Sequence, residues 1–167
     1  MKIQDWIKIK LRPFMRPIMG FFLYFFYETP HTIGSSGKLI KGKKVVLNNT
    51  LFNLSSGSVI IGDYTFFGYN VMILTGKHNF KDGQRVGLKE IMETDSWGGG
   101  ETEVPIEGYD IKIGSGSWIC SGAIIIGGIT IGDNAIISSG TLVTKDIPDF
   151  AIAAGVPAKI IGDTRDL

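Results

Sequence analysis

A spacing of six residues between large aliphatic side chains is the feature that most constrains how this chain can fold. Six residues keep that spacing: Ile113, Ile119, Ile125, Ile131, Ile137 and Val143. The residue after each of them is usually small, and the residue two positions before it is mostly small or β-branched. A repeat of this length predicts a parallel β-helix, in which each hexad supplies one short strand and one corner. Three strands then close a triangular coil of about 18 residues, and stacked coils bury a column of aliphatic side chains.

The composition supports an all-β fold of this repetitive kind. The chain has 23 Gly and 25 Ile among 167 residues, and ten of the isoleucines lie between Ile111 and Ile137. Glycine and β-branched residues both disfavour helix, and glycine does not recur at every third position as collagen requires. The net charge of +1 and the hydrophobic share of 44% argue against a disordered chain and against a nucleic-acid partner.

The same six-residue step occurs earlier in the chain, less regularly. Ile61, Phe67 and Ile73 keep this step. An earlier series keeps it in another phase: Ile33, Leu39, Val45 and Leu51. The change of phase predicts an irregular corner near residues 55–58. The repeat stops after His78, and residues 79–106 are polar and glycine-rich. Loops of this length are usually functional, so we divide the chain into a β-helix at 31–161 that contains this loop and a tail at 162–167.

Residues 1–30 have a different pattern from the rest of the chain. Apolar residues recur at steps of three and four between five basic residues, and an aromatic block follows at residues 21–27. This pattern fits a basic amphipathic anchor at a membrane surface, and equally a cap on the β-helix or on a partner subunit. The uncharged run at 17–27 is shorter than the about 20 residues that span a bilayer, and no signal-peptide cleavage site follows. We expect a cytoplasmic protein, peripheral at the inner face of the membrane if the anchor reading holds.

Three segments of the repeat region carry a more specific signal: ITIGDN at 129–134, VTKDIP at 143–148 and AAGVPAK at 153–159. With them the chain resembles the left-handed parallel β-helix (hexapeptide-repeat) acyltransferases, and among these the galactoside/maltose-type and polysaccharide O-acetyltransferases. The resemblance implies a left-handed coil, a homotrimer with active sites between subunits, acetyl-CoA as the acyl donor and no metal. The single cysteine, Cys120, excludes an internal disulfide and is expected to be a small buried or turn residue.

The resemblance also places His78 at the position of the family's catalytic histidine. As a general base, this imidazole takes the proton of a sugar hydroxyl while the hydroxyl oxygen attacks an acetyl thioester. The local sequence is TGKHN, whereas the galactoside/maltose type usually has Thr-Gly-His-Pro, so Lys77 is inserted and Asn79 replaces the proline. This difference in sequence bears on which acceptor the site binds more than on the role of His78 as the base.

For the other site residues the resemblance implies a coenzyme A groove along the coils. The matching positions are Trp118, Ser121, Ser139, Gly140, Thr144, Lys145 and Lys159. A family basic residue three positions after Lys159 is missing, since Gly162 stands there, and Arg165 is a substitute for it or a tail residue. Five residues are candidates for binding the acceptor: Asn70, Asn79, Asp82, Arg85 and Trp97.

The sequence thus predicts an acetyl-CoA-dependent O-acetyltransferase that acts on a saccharide hydroxyl, with a polysaccharide or glycolipid precursor as the acceptor. An N-acetyltransferase acting on an amino sugar or another aminated small molecule is the alternative, because His78 would serve either acceptor. A γ-type carbonic anhydrase needs three histidine ligands, and the chain has two histidines. A non-catalytic structural or ice-binding β-helix would give His78 no role.

Overall fold

The computed structural model describes residues 17–18, 20–22, 29–34, 37–76, 78–81, 84–85, 105 and 107–167. Nearly all regular structure in these residues is short strand, and a 3₁₀ turn at Thr164–Asp166 ends the chain. The strands are β1 (His31–Ile33), β2 (Leu39–Lys41), β3 (Leu51–Asn53), β4 (Val59–Ile61), β5 (Phe66–Phe67), β6 (Met72–Leu74), β7 (Phe80–Lys81), β8 (Gln84–Arg85), β9 (Ile111–Ile113), β10 (Trp118–Ile119), β11 (Ile124–Ile126), β12 (Thr130–Ile131), β13 (Ile136–Ile137), β14 (Leu142–Val143), β15 (Ala151–Ala154) and β16 (Lys159–Asp163).

Three sheets form the sides of a triangular prism, which confirms the predicted β-helix. Sheet A has the order β1-β3-β6-β11-β14, sheet B has β2-β4-β9-β12, and sheet C has β5-β10-β13-β15-β16. Consecutive strands such as β4, β5 and β6 lie on different sheets, and each pairs in parallel with the strand one coil away. The pairing of β15 with β16 is antiparallel, so the chain folds back on sheet C at its C-terminal end.

The six aliphatic residues of the regular repeat, from Ile113 to Val143, fill the interior of the prism. All six of its residues are buried, with exposed fractions of 3% or less. The strand register stacks them in one column per sheet: Ile113 faces Ile131, Ile119 faces Ile137, and Ile125 faces Val143. The sequence therefore predicted the inward-facing residues of the later coils correctly.

The earlier coils are longer, and here two inward positions were predicted wrongly: Leu51, and Ile33, which is 55% exposed. Ile136 pairs with Trp118, eighteen residues before it, whereas Ile60 pairs with Ile40, twenty residues before it. Phe52 is fully buried and Leu51 is only half-buried, because the longer coil shifts the inward position by one residue. The extra residues lie in bends at 55–57, where the irregular corner was expected.

Close packing between coils explains why small residues follow the inward aliphatic side chains. A Cβ atom built on Gly114 would lie 2.5 Å from the backbone nitrogen of Asp133 on the next coil. Gly62 and Gly132 meet the next coil in the same way, each within 2.5 Å of a backbone nitrogen. Glycine is needed at these corners because two backbones approach there more closely than a side chain allows.

Two of the predicted segments, the N-terminal segment at 1–30 and the loop at 79–106, are only partly described by the structure. Residues 17–18 and 20–22 have helical backbone, as the amphipathic pattern predicts, and Ile18, Phe21 and Phe22 are exposed. The rest of residues 1–28 lies outside the described residues, as does most of the loop at 79–106. Within the part of the chain that is described, no helix reaches the length and apolarity needed to cross a membrane.

Candidate functional site

The corners of the coils line up along three edges of the prism, and two of these edges carry the predicted site residues. The AB edge, where sheet A leads into sheet B, is formed by residues 75–76, 78, 127–128 and 144–146. The CA edge, where sheet C leads into sheet A, is formed by residues 68–70, 120–122 and 138–140.

His78 lies on the AB edge, at the point where the chain leaves the second full coil after β6. Its side chain is exposed. The corner before it is held in place by Thr75, which is fully buried and donates hydrogen bonds to the carbonyl oxygen of Asn53 from both its N–H (3.1 Å) and its hydroxyl (2.8 Å). The imidazole thus stands beside a corner that two hydrogen bonds hold in place, and its exposure makes it accessible to a substrate.

Thr144, Lys145 and Lys159 come together at the C-terminal end of the AB edge. They line a groove of about 350 Å³ between the corner at 144–146 and the fold-back strand β16. The N–H of Ala158 donates to the carbonyl oxygen of Leu142 (2.8 Å), which ties one wall of the groove to sheet A. Both lysine side chains are exposed. The groove is also lined by Asp146, whose carboxylate accepts a hydrogen bond from the N–H of Thr130 (2.8 Å). Two cations beside one carboxylate leave a net positive charge, which suits a phosphate-bearing ligand.

Sequence analysis missed other residues of this groove. Ile147, Pro157, Ala158 and Ile160 line it as well. The AAGVPAK segment includes Pro157 and Ala158. Lys159 was identified because it matches a basic residue of the family, and the segment gave no reason to expect that its apolar residues also line the groove.

The remaining cofactor candidates lie elsewhere, on the CA edge and on the outer face of sheet C. The Ser121 hydroxyl accepts a hydrogen bond from the N–H of Tyr69 (3.0 Å), and the Ser121 carbonyl accepts one from the N–H of Gly140 (3.0 Å). Gly140 has a positive φ of 68°, and a Cβ atom there would meet nothing within 4 Å. Ser139 is exposed beside it. This part of the CA edge is therefore an open, polar backbone surface.

Trp118 is 49% exposed on the outer face of sheet C. Its ring lies edge-to-face with that of Phe66, with 6.5 Å between the ring centroids. Three-residue strands of sheet A, about 10 Å long, separate the CA edge from the AB edge. A single copy of the chain thus gathers Thr144, Lys145 and Lys159 at one groove and leaves the other four cofactor candidates on another edge and face.

The acceptor candidates are placed unequally. Asn79 is half-buried next to His78, and the backbone of Arg85 pairs with that of Phe80 in the short hairpin β7–β8, so both are close to His78 in the chain path. Asn70 lies on the CA edge with a positive φ of 58° and exchanges two hydrogen bonds with Asn49, which ties two coils together. Asp82 and Trp97 lie outside the described residues.

Two further side chains have a structural environment. Arg165 forms a salt bridge with Asp163 (2.6 Å) and lies 4.9 Å from the ring centroid of Phe150, and hydrogen bonds from Arg165 lower the pKa of Asp163 to about 2. Cys120 is half-buried, and burial raises the pKa of its thiol. Among the described residues, no group of three or more His, Cys, Asp or Glu could hold a metal ion.

Comparison with known proteins identifies relatives of the whole coil. Residues 110–145 match the family model described as "Bacterial transferase hexapeptide (six repeats)". A protein of Staphylococcus aureus (strain MRSA252) that is named as an acetyltransferase is 32% identical over 154 residues, which cover 81% of this chain and 75% of that protein. Four other curated relatives are matched over only 29–62% of their length.

Two solved structures are similar in both fold and sequence. A maltose O-acetyltransferase from Clostridium difficile 630 has a TM-score of 0.51 and 28% identity, and the match covers 79% of this chain and 68% of that one. A galactoside acetyltransferase in complex with coenzyme A has a TM-score of 0.51 and 25% identity, with 77% of this chain and 66% of that one covered.

Proposed function

Since the chain belongs to the hexapeptide-repeat acetyltransferases, we propose that it transfers an acetyl group from acetyl-CoA to a hydroxyl group of a saccharide. The observation that carries the proposal is the AB edge, which places His78 at one point and the Lys145–Lys159 groove at another. Neighbouring coils are about 4.8 Å apart, so two coil steps separate these points along the edge. This arrangement fits an extended donor with phosphates at one end and a thioester at the other.

Acetyl-CoA would be held by its phosphates at Lys145 and Lys159 and would supply an acetyl group activated as a thioester. The galactoside acetyltransferase that resembles this chain has been solved with coenzyme A, which supports the same class of donor here. Two ammonium groups in one groove provide charge-assisted hydrogen bonds to phosphate oxygens.

His78 acts in this proposal as a general base. Its imidazole accepts the proton of the acceptor hydroxyl while the hydroxyl oxygen bonds to the thioester carbonyl carbon. The carbon–sulfur bond breaks, and the same proton then passes from the imidazolium to the leaving sulfur, which balances the reaction. Proton transfer of this kind contributes typically about 10²- to 10⁴-fold to the rate.

The second group of cofactor candidates supports a homotrimer with sites between subunits. Trp118 and Ser121 cannot share the Lys145 groove within one copy, but they could contact the donor from a neighbouring copy. The outer face of sheet A exposes Met72 and Ile126, and that of sheet C exposes Phe66 and Trp118. Two different apolar faces on one prism suit a head-to-tail ring, in which face A of one copy meets face C of the next.

The acceptor is proposed to be a polysaccharide or glycolipid precursor that binds near Asn79 and the β7–β8 hairpin. Arg85, Asp82 and Trp97 remain the further candidates for its binding, and Asn70 could contribute only from the CA edge. Residues 1–30 would bring the enzyme to a membrane-associated acceptor, since Ile18, Phe21 and Phe22 expose apolar surface.

The test is an acceptor panel with acetyl-CoA, in which thiol release is followed and products are identified by mass spectrometry. The panel includes amino sugars, and acetylation at nitrogen alone would replace the proposal by the N-acetyltransferase alternative. His78→Ala should lower kcat by about 10²- to 10⁴-fold while coenzyme A binding persists. His31→Ala is the matched control, because His31 is the other histidine and is exposed on β1. Full activity of His78→Ala would contradict the proposed role.

A further inference from the structure

Charge is distributed unevenly along the chain, although the net charge is only +1. Residues 1–62 contain nine Lys and Arg against two Asp and Glu, whereas residues 63–167 contain eight against fourteen. No acidic residue occurs between Glu28 and Asp63. Within that stretch four lysines are described by the structure, and we call them the lysine end: Lys38, Lys41, Lys43 and Lys44.

The lysine end belongs to the first coil, at the N-terminal end of the prism. Among the described strands, β2, which contains Lys41, lies at the edge of sheet B and pairs only with β4. The backbone around it is fixed, since the N–H of Lys38 donates to the Ser58 hydroxyl (3.1 Å) and the N–H of Lys43 donates to the Asp63 carboxylate (2.7 Å). All four lysine side chains are exposed. The result is a rigid platform of four cations at one end of the molecule.

Protection of an edge strand is the structural alternative for such lysines, because a charge on an edge strand prevents pairing with another chain. That role accounts for Lys41, which stands in register with the buried Ile61. It does not account for Lys38 and Lys43, which lie before the strand and in the turn after it. Lys44, in the same turn, is exposed, and its Nζ lies 5.6 Å from the ring centroid of Tyr64. Asp63 contacts the cluster through the backbone of Lys43, whose N–H donates a hydrogen bond to its carboxylate.

Exposed apolar side chains surround the same end of the prism. Ile33 on β1 is 55% exposed, Ile40 on β2 is 50% exposed and Val46 is 43% exposed, and each belongs to the first coil. A soluble polyanion would use the lysines alone. An anionic bilayer surface uses both features, because its headgroups attract lysine while its interfacial region accepts aliphatic side chains.

We propose that the lysine end is a docking surface for an anionic phospholipid bilayer, on which the prism stands by its N-terminal end. The inference deepens the proposed function, since it rests on an acceptor that is presented at a membrane. It also supplies the second signal that stable peripheral binding needs, in addition to an amphipathic segment. In this orientation the acidic remainder of the chain faces away from the bilayer. The AB edge, which carries His78, extends away from the bilayer surface.

The expected size of the effect follows from the position of each lysine. A lysine at an anionic surface contributes about fivefold to binding, or about 1 kcal/mol. Lys112 lies on β9, two coils from Ile40 in the register of sheet B, and hence about 10 Å further from the bilayer. That distance equals the Debye length at 0.1 M salt, so its attraction to the surface is largely screened.

The experiment is flotation of the full chain with vesicles, without acetyl-CoA, so that the result does not depend on acetyl transfer. Vesicles of phosphatidylcholine alone are compared with an equal mixture of phosphatidylcholine and phosphatidylglycerol. Lys41→Glu is compared with Lys112→Glu, which makes the same charge change at another exposed lysine of sheet B. The double variant Lys38→Gln/Lys41→Gln avoids introducing an acid, and gel filtration of each variant tests for aggregation.

The proposal predicts binding to anionic vesicles only, a loss of at least fivefold in Lys41→Glu, and a loss of roughly 25-fold in the double variant. Lys112→Glu should bind as the unaltered chain does. Equal binding of all variants, equal binding to neutral vesicles, or weaker flotation that merely follows aggregation would each overturn it. Retention on heparin that is lost in Lys41→Glu, together with no flotation of the unaltered chain on anionic vesicles, would replace the bilayer by a soluble polyanion. Acetyl transfer measured separately without vesicles shows whether the proposed function fails instead.

Discussion

Replacement of Gly114 by alanine tests the close packing of neighbouring coils. A glycine-to-alanine change that the backbone tolerates usually stabilises a protein by about 0.4–1 kcal/mol, because the unfolded chain loses freedom. At Gly114 the opposite sign is expected. The new Cβ atom would lie 2.5 Å from the Asp133 nitrogen and equally close to the carbonyl carbon of Gly132, about 0.9 Å inside an ordinary contact of 3.4 Å.

The backbone around Gly114 cannot move freely to relieve this contact. The N–H of Gly114 donates to the carbonyl oxygen of Ile131 (2.8 Å), and the N–H of Ser115 donates to the Asp133 carboxylate (2.6 Å). Overpacking of a tight site costs about 1–3 kcal/mol, and loss of one such hydrogen bond adds about 1 kcal/mol. We expect Gly114→Ala to destabilise the fold by about 2–4 kcal/mol in total.

Thermal unfolding followed by circular dichroism at matched protein concentration measures this effect. Each kcal/mol lowers the Tm of a chain of this size by roughly 2–4 °C, so a fall of roughly 4–16 °C is expected. Gly162→Ala is the matched control, because its Cβ would lie at an ordinary 3.4 Å from the Ile152 side chain. That variant should unfold at the Tm of the unaltered chain or slightly above it. If Gly114→Ala were as stable as Gly162→Ala, the reasoning about coil packing would be refuted.

Three other outcomes are expected. Lys145→Ala should raise the KM for acetyl-CoA about fivefold, as loss of one exposed phosphate contact of about 1 kcal/mol implies, whereas Lys112→Ala should not, and equal KM values would remove Lys145 from the donor site. Arg165→Ala should raise the pKa of Asp163 from about 2 toward its ordinary value, read by carboxyl NMR titration; since the lowered pKa stabilises the fold above the unfolded pKa, that contribution is lost as pH falls toward 2, and an unchanged titration would contradict the pairing. Alkylation of Cys120 by iodoacetamide at neutral pH should be slower than that of free cysteine, because burial raises its thiol pKa; equal rates would contradict this.

The sequence predicted the fold where the repeat is regular and failed where coil length changes. From Ile113 to Val143 each side of the prism has six residues, and side chains alternate between the inner and outer faces of each strand. The spacing therefore determines which residues point inward. In the earlier coils the extra residues lie in bends at 55–57, where the change of phase predicted an irregular corner, but the spacing did not show which residue before the bends would point inward. Phe52 is buried in place of Leu51. Periodicity also could not supply the left hand of the coil, which opposes the usual right-handed crossover.

The candidate site was harder to predict than the fold, and the reason is its geometry. Trp118 and Lys145 were each assigned from a local motif, and a local motif does not show which side of the prism a residue occupies. The spacing of the repeat does show it, and by that spacing the two residues lie on different sides, with sheet A between them. A donor in contact with both must bridge two copies of the chain, so dissociation of the oligomer should abolish acetyl transfer even though each copy retains His78. Dilution of the enzyme until activity per chain falls, with the oligomeric state followed in parallel, tests this dependence. Constant specific activity in a verified monomer would show that Trp118 and Ser121 do not contact the donor.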